Sequence, residues 1–167
     1  VFIGQYAAKK NLPMLLEAYA EYRRAASSPW GLTCMGMGPL KDMLKGREGV
    51  RDLGFVQPRE QAGVLAGVGA FVLPSSYDPW GVAIAEAAGA GLPVVCTEAC
   101  GAALELVRGY YNGITIATDN RGALVRAMHE IGSRAGEMPE WGRRGRELAA
   151  PYGAKFWAAR WKAAMEI

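Results

Sequence analysis

Two carboxylates stand eight positions apart where a predicted buried strand is followed by a helix. Asp78 lies in the polar stretch after the apolar run 70–73, and Glu86 lies within the helical pattern. The first amides of such a helix, near Gly81 and Val82, can bind an anion together with the positive end of the helix dipole. About one turn further in, the Glu86 carboxylate can accept hydrogen bonds from vicinal sugar hydroxyls. The segment therefore predicts a site for a polar, anionic ligand.

Both carboxylates also have structural explanations. Asp78 precedes Pro79 and is a natural N-cap for a helix that begins near 79–82. Glu86 would then be a solvated helix residue. Its neighbours are small or apolar, so we expect instead a confined position, in which the carboxylate needs hydrogen-bond donors to offset its desolvation.

Three other loops contain residue types that suit an anion. Lys9 or Lys10 could reach a phosphate as a point charge, although single lysines are more often surface residues. In the turn 100–105, Gly101 is followed by a short predicted helix whose first amides could face a ligand. Taken alone, this signal is no better than an ordinary turn. Gly36 and Gly38 follow a strand, where glycine lets a backbone approach a ligand closely.

The glycine pair does not complete a dinucleotide fingerprint. That pattern needs a third glycine at position 41, where Lys41 stands, and Pro39 intervenes. A dehydrogenase or flavodoxin-like module is therefore the weakest interpretation.

The elements that must position these loops alternate between strand and helix. The apolar runs predict strands at 1–4, 31–36, 50–56, 70–73, 93–96 and 113–117. Helical spacing predicts helices at 12–26, 39–45, 59–66, 82–90, 102–107, 121–132, 140–150 and 155–165. This alternation predicts an α/β fold, a doubly wound parallel sheet of about six strands with helices on both faces and a C-terminal helical tail. In such folds ligands bind outside the carboxyl ends of the strands, where these loops lie.

Composition limits the class of protein further. With 167 residues and 51% apolar content, the chain is predicted to form one domain, residues 1–167. A net charge of +3 without a basic stripe argues against nucleic-acid binding. Cys34 and Cys96 fall in apolar runs and are predicted as core residues in a reducing compartment, and Cys100 has no second ligand pair for a metal. The single histidine, His129, is predicted to be structural or exposed.

Taken in order, the loops resemble one family: the nucleotide-sugar-binding C-terminal domain of family 4 (group 1) retaining glycosyltransferases, which have the GT-B architecture. The pieces that match are Gly4-Gln5 with Lys10-Asn11, Gly36-Met37-Gly38-Pro39, Leu53-Gly54-Phe55-Val56, Pro74-Ser75-Ser76-Tyr77-Asp78-Pro79-Trp80-Gly81, Glu86, Gly91-Leu92-Pro93-Val94-Val95, Gly101 with Glu105, and Asn112-Gly113. The resemblance covers nearly the whole chain.

The resemblance implies a division of roles at a donor site. Lys10 would neutralise the donor diphosphate, and the amides of Gly81 and Val82 would bind the phosphates. Glu86 would hold the ribose hydroxyls, and Asp78 would contact the donor sugar. Lys10, Asp78 and Glu86 are thus the candidate catalytic residues.

The remaining donor-binding candidates come from the same motifs. The loop containing Phe55 and Val56 would meet the base, and Gln5, Gly38 and Trp80 lie in the matching donor-site pieces. Lysine and amides can stabilise a leaving diphosphate without a metal ion, so no cofactor beyond the donor is expected.

The resemblance also implies what lies outside the chain. The chain does not begin with methionine, and we expect a fragment of a two-domain enzyme whose missing N-terminal domain binds the acceptor: a glycan, a lipid-linked sugar or a small molecule. Alone, it would bind a UDP-, GDP- or ADP-sugar but transfer nothing. A cytoplasmic location is expected, with the full protein in peripheral contact with the membrane surface as an option.

Two departures from the family pattern leave alternatives open. Gln5 replaces an arginine and removes one phosphate-binding cation, and Asp78 replaces a glutamate and reaches about one methylene less. A non-catalytic nucleotide-sugar sensor would explain both. Another GT-B enzyme, such as a sugar-nucleotide epimerase, is disfavoured by the pair of carboxylates.

Overall fold

The computed structural model describes residues 1–165 and contains two three-stranded parallel sheets. In the first, β2 lies between β1 and β3, and in the second, β5 lies between β4 and β6. The strands are β1 (Phe2–Ile3), β2 (Leu32–Met35), β3 (Val50–Asp52), β4 (Phe71–Leu73), β5 (Val94–Thr97) and β6 (Gly113–Ile116).

The two sheets meet where β1 lies beside β4. The amide of Val72 donates to the carbonyl oxygen of Val1 at 2.8 Å. The six strands therefore follow the order β3-β2-β1-β4-β5-β6. The strand order reverses between β1 and β4, and the carboxyl ends of these strands flank the crevice in which doubly wound folds bind ligands.

Helices cover both faces of the strands. They are α1 (Leu12–Ala25), α2 (Pro58–Leu65), α3 (Val82–Ala90), α4 (Gly101–Leu106), α5 (Arg121–Ser133), α6 (Met138–Ala149) and α7 (Ala154–Met165). Helix α1 packs against α5, whereas α3 packs against α2, α4 and α6. Every residue of β4 and β5 is buried, as expected for parallel strands covered on both sides. The predicted doubly wound α/β fold with a helical tail is confirmed.

Two predicted elements are shorter than expected. The strand predicted at 50–56 ends at Asp52, because Gly54 adopts a left-handed φ of 63° that no strand continues through. The helix predicted at 39–45 is only a 3₁₀ turn, Lys41–Leu44. The edge strand β3 is therefore short, with the 3₁₀ turn before it and the left-handed Gly54 after it.

The cysteines and the histidine lie where the sequence places them. All three cysteines are free and buried, and burial raises the pKa of Cys34 and of Cys96 to about 12, so both thiols stay protonated and unreactive at neutral pH. His129 packs edge-on against Tyr22, with ring centroids 5.0 Å apart. Among residues 1–165, no helix is long and apolar enough to cross a membrane.

Helices α3 and α6 pack so closely that glycine is required at the contact. A Cβ atom at Gly142 of α6 would overlap the carbonyl oxygen of Gly91, the residue that ends α3. We expect Gly142→Ala to lower the free energy of unfolding by about 1–3 kcal/mol, the usual cost of overpacking. Urea denaturation followed by circular dichroism measures this.

Gly89→Ala is the matched control for this prediction. Gly89 lies in α3, and a Cβ atom there would meet nothing within 4 Å. Alanine is the better helix former by roughly 0.5–1 kcal/mol, so this variant should be more stable than the wild type. Equal stability of the two variants would contradict the packing account.

Candidate functional site

The loops after β1 and β2 pack against each other through their backbones. The amide of Tyr6 donates to the carbonyl oxygen of Met37 at 2.8 Å, and the amide of Leu40 donates to that of Tyr6 at 3.0 Å. A Cβ atom at Gly36 would overlap the carbonyl oxygen of Gly4, and one at Gly38 would overlap that of Tyr6. Both glycines are therefore explained by contact between loops. That their backbone also approaches a ligand stays a prediction.

The loops after β4 and β5 are joined in the same way. The amide of Asp78 donates to Ala99 O at 3.1 Å, and the amide of Gly101 donates back to Asp78 O at 3.2 Å. The amide of Ala102 donates to Trp80 O at 2.6 Å. The first amides of α4 therefore hold the loop after β4. The expectation that the turn 100–105 offers these amides to a ligand is wrong.

Lys10 and Asp78 form an ion pair across the crevice. The Lys10 Nζ donates to Asp78 Oδ2, and the side chains are only 18% and 10% exposed. The structure thus brings together two predicted site residues that lie 68 positions apart.

Asp78 is not the N-cap of α3, contrary to the structural explanation drawn from the sequence. The cap residue is Gly81, which has a left-handed φ of 89° and makes no side-chain cap bond. The helix begins at Val82, and its first turn contains no acidic residue. The amide of Ile84 donates to the carbonyl oxygen of Gly81 at 2.8 Å, whereas the amides of Val82 and Ala83 have no acceptor within the helix. These two amides and the helix dipole favour an anion at this terminus.

Glu86 lies beside that terminus, at the surface between α2 and α3. It lines a cavity of about 460 Å³ with residues of α2, including Pro58 and Gln61. The residue is exposed, so the expectation of a confined position is wrong: the small side chains around it leave open space. Burial of its inner side nevertheless raises the pKa of Glu86 above its ordinary value.

A second cavity, of about 300 Å³, lies over the carboxyl ends of β1 and β2. Gln5, Phe55 and Val56 line it, and the Phe55 side chain is 59% exposed. Three of the predicted donor-site residues therefore share one cavity. Gly38 does not line it.

Gln61 is a functional candidate that the sequence did not indicate. It lines both cavities, and its Nε2 donates to the carbonyl oxygen of Val56 at 3.2 Å. The one sequence feature that could have indicated Gln61 is its position in the first turn of α2, which begins at Pro58 directly after the loop that contains Phe55.

Trp80 lies in the loop between β4 and α3. Its ring packs on that of Tyr152, with centroids 5.7 Å apart, and Tyr152 donates to Glu105 Oε2 at 3.1 Å. The predicted donor-site tryptophan is thus in contact with the segment that leads into α7.

The strand order defines a class: a doubly wound α/β domain in which the order reverses between β1 and β4, with the ion pair of Lys10 and Asp78 between the loops that follow these two strands. A family model described as "Glycosyl transferases group 1" matches residues 1–133. The chain belongs to this family.

Comparisons with known proteins agree with this assignment. The chain is 26% identical over 149 residues to an uncharacterised glycosyltransferase of Methanocaldococcus jannaschii, covering 85% of this chain and 36% of that protein. It is 32% identical over 106 residues to the O-antigen chain mannosyltransferase B of Escherichia coli, covering 59% and 28%. The chain thus spans about a third of the length of these relatives.

The same fold occurs in solved structures. Staphylococcus aureus TarM, in complex with fondaparinux, α-GlcNAc-glycerol and UDP, superposes with a TM-score of 0.83 at 18% identity, over 97% of this chain and 34% of that one. At this level of identity the likeness establishes the fold alone.

We expect the ion pair in the crevice to stabilise the domain. Asp78→Asn should lower the free energy of unfolding by about 2 kcal/mol, between the values for exposed and for fully buried pairs, because it leaves the Lys10 ammonium largely buried without a counter-charge. Urea denaturation at neutral pH measures this.

An exposed ion pair serves as the control for this measurement. Asp42 and Lys45 also pair, at 2.7 Å, but their side chains are 83% and 76% exposed. Asp42→Asn should therefore change stability by less than about 0.5 kcal/mol. A cost for Asp78→Asn no larger than this would show that the crevice pair adds no stability.

Proposed function

We propose that this chain is the donor-binding domain of a glycosyltransferase that takes a sugar from a nucleoside diphosphate and transfers it with retention. The observation that carries the proposal is that Lys10 pairs with Asp78, whose Oδ2 lies 3.6 Å from the position a Cβ atom would take at Gly81, the cap of α3. Glu86 follows about one turn into that helix. Lys10, the N-terminus of α3 and Glu86 are a cation, free amides and a hydroxyl acceptor, in the order in which a nucleotide sugar presents phosphates and ribose.

The diphosphate would lie between Lys10 and the first turn of α3. Departure of the sugar leaves negative charge on the diphosphate, and a fixed cation with helix-initial amides stabilises that charge. Gln5 supplies a hydrogen-bond donor where the family has an arginine, so Lys10 is the principal phosphate-binding cation in this proposal.

The nucleoside would extend from α3 toward the loop after β3. Glu86 would accept hydrogen bonds from the two ribose hydroxyls. The base would pack in the cavity lined by Phe55 and Val56, with Gln61 at the boundary between base and ribose.

The donor sugar would lie near Asp78. Lys10 binds Oδ2 of that carboxylate, which leaves Oδ1 to accept from a sugar hydroxyl. Because the side chain is an aspartate fixed by Lys10, the donor sugar must approach the loop after β4 more closely than a glutamate would require. The acceptor would be bound by a second domain, outside this chain.

The first test is nucleotide binding by the 167-residue chain. Isothermal titration with UDP, GDP and ADP should show saturable binding of at least one of them, and none of the three should require a metal ion. Absence of binding in a sample whose circular dichroism shows a folded α/β protein would overturn the proposal. Sugar transfer is then measured with the full-length protein, in which a non-catalytic sensor would bind the nucleotide without turnover.

Glu86 is predicted to contribute through the ribose. Glu86→Ala should weaken binding of the preferred nucleoside diphosphate by about 1–3 kcal/mol, the scale of hydrogen bonds to a charged group. Because burial raises the pKa of Glu86, protonation begins at a higher pH than for an ordinary glutamate, and the difference in affinity between Glu86→Ala and wild type should shrink as the pH is lowered.

Glu48→Ala provides the control for that titration. The Glu48 side chain is 87% exposed, pairs with Arg23, and lines neither of the two donor-site cavities. Its loss should leave the affinity unchanged. Equal affinities of the Glu86 and Glu48 variants would assign Glu86 a structural role.

A further inference from the structure

Two residues with left-handed backbone conformations contact each other beside the donor site. Asn11 has a φ of 54° and Asp119 a φ of 56°. Such conformations carry strain for any residue other than glycine, although Asn and Asp tolerate them better than most. At both positions the side chain makes a contact that glycine could not make, the hydrogen bond from Asn11 to Asp119.

The Asp119 carboxylate makes two such contacts. Its Oδ1 accepts a hydrogen bond from Asn11 Nδ2 at 2.7 Å and another from Ser76 Oγ at 3.1 Å. Asn11 lies after β1, Ser76 after β4 and Asp119 after β6. One oxygen atom therefore ties together three loops at the carboxyl edge of the sheet.

Two of these three loops, those after β1 and after β4, also carry the ion pair of Lys10 and Asp78. Asn11 directly follows Lys10, and Ser76 lies two positions before Asp78. The amide of Ser76 also donates to the carbonyl oxygen of Lys9 at 2.9 Å. The clamp formed by Asn11, Ser76 and Asp119 thus fixes the turn that bears Lys10 against the loop that bears Asp78.

Helix capping does not account for Asp119. Helix α5 is capped by the next residue, Asn120, whose Oδ1 accepts from the amide of Ala123 at 2.9 Å. A glycine at position 119 would adopt the same backbone conformation without strain. The two hydrogen bonds to the donor-site loops are what the carboxylate adds.

We infer that Asp119 is a positioning residue for the donor diphosphate, acting through Lys10. This inference rests on the proposed function, because it takes Lys10 as the group that meets the phosphates. It assigns to the loop after β6 a part in donor binding that none of the motif pieces predicts.

The test is a comparison of nucleotide affinities for Asp119→Gly. This variant should bind the preferred nucleoside diphosphate about five to ten times more weakly, as expected from losing two modest hydrogen bonds. Its affinity for the parent nucleoside, which has no phosphates, should be unchanged. Its thermal midpoint should fall only slightly, because relief of the left-handed strain at 119 offsets part of the stabilisation lost with the two hydrogen bonds. A variant that only loosened the fold would bind both the nucleoside diphosphate and the nucleoside more weakly.

Two neighbouring variants separate the hydrogen bonds from other effects. Asp119→Asn removes the charge but retains an oxygen acceptor and tolerates the left-handed backbone, so its diphosphate affinity should lie within about twofold of wild type. Asn120→Ala removes the cap of α5 and should lower stability without changing affinity. Loss of affinity in Asp119→Asn as large as in Asp119→Gly would overturn the role assigned to the hydrogen bonds.

A double-mutant cycle identifies Lys10 as the intermediary. In a Lys10→Met background, Asp119→Gly should weaken diphosphate binding no further. An additive loss would overturn the inference while leaving the proposed function in place. Failure of the wild type to bind any nucleoside diphosphate would instead remove the proposed function. Loss of contacts between the Lys10 and Asp78 side chains in the NMR spectra of unliganded Asp119→Gly would support the inference independently.

Discussion

The ion pair between Lys10 and Asp78 joins the two halves of the sheet at their carboxyl edge. One partner follows β1 and the other follows β4, the two strands between which the strand order reverses. Both charges are largely withdrawn from water, so each depends on the other for its counter-charge. The pair therefore fixes the relative position of the two loops that border the crevice.

Backbone contacts make that edge of the sheet rigid around the pair. The loops after β1 and β2 interlock at Gly36 and Gly38, and the loops after β4 and β5 interlock at Gly101, where a Cβ atom would overlap Pro79 O. Side chains at these positions would push the loops apart. Glycine at these positions thus serves the packing of loops against loops, and the edge of the crevice is ordered by these contacts alone.

The order of strands and helices was predictable because each element carries its own periodic pattern. The apolar run 70–73 predicts β4, and Gly91 and Pro93 predict the end of α3. The structure agrees closely, because both signals are local. The strand that ends at Asp52 was overestimated, because the left-handed turn at Gly54 overrides the apolar pattern. The local explanation of Asp78 as a helix cap is wrong, because Gly81 caps α3 and the Asp78 carboxylate pairs with Lys10, 68 positions earlier.

The sequence by itself determined the fold class, the family and the residue types of the proposed donor site, because these depend on local spacing and on motifs of a few residues. Only the tertiary structure decided which of those residues meet. It paired Lys10 with Asp78, placed Gln61 between two cavities, and brought Asp119 to Asn11 and Ser76. The physical reason is that loops after different strands converge at one edge of a parallel sheet, so contacts between them depend on strand order and loop packing, which no single stretch of sequence specifies.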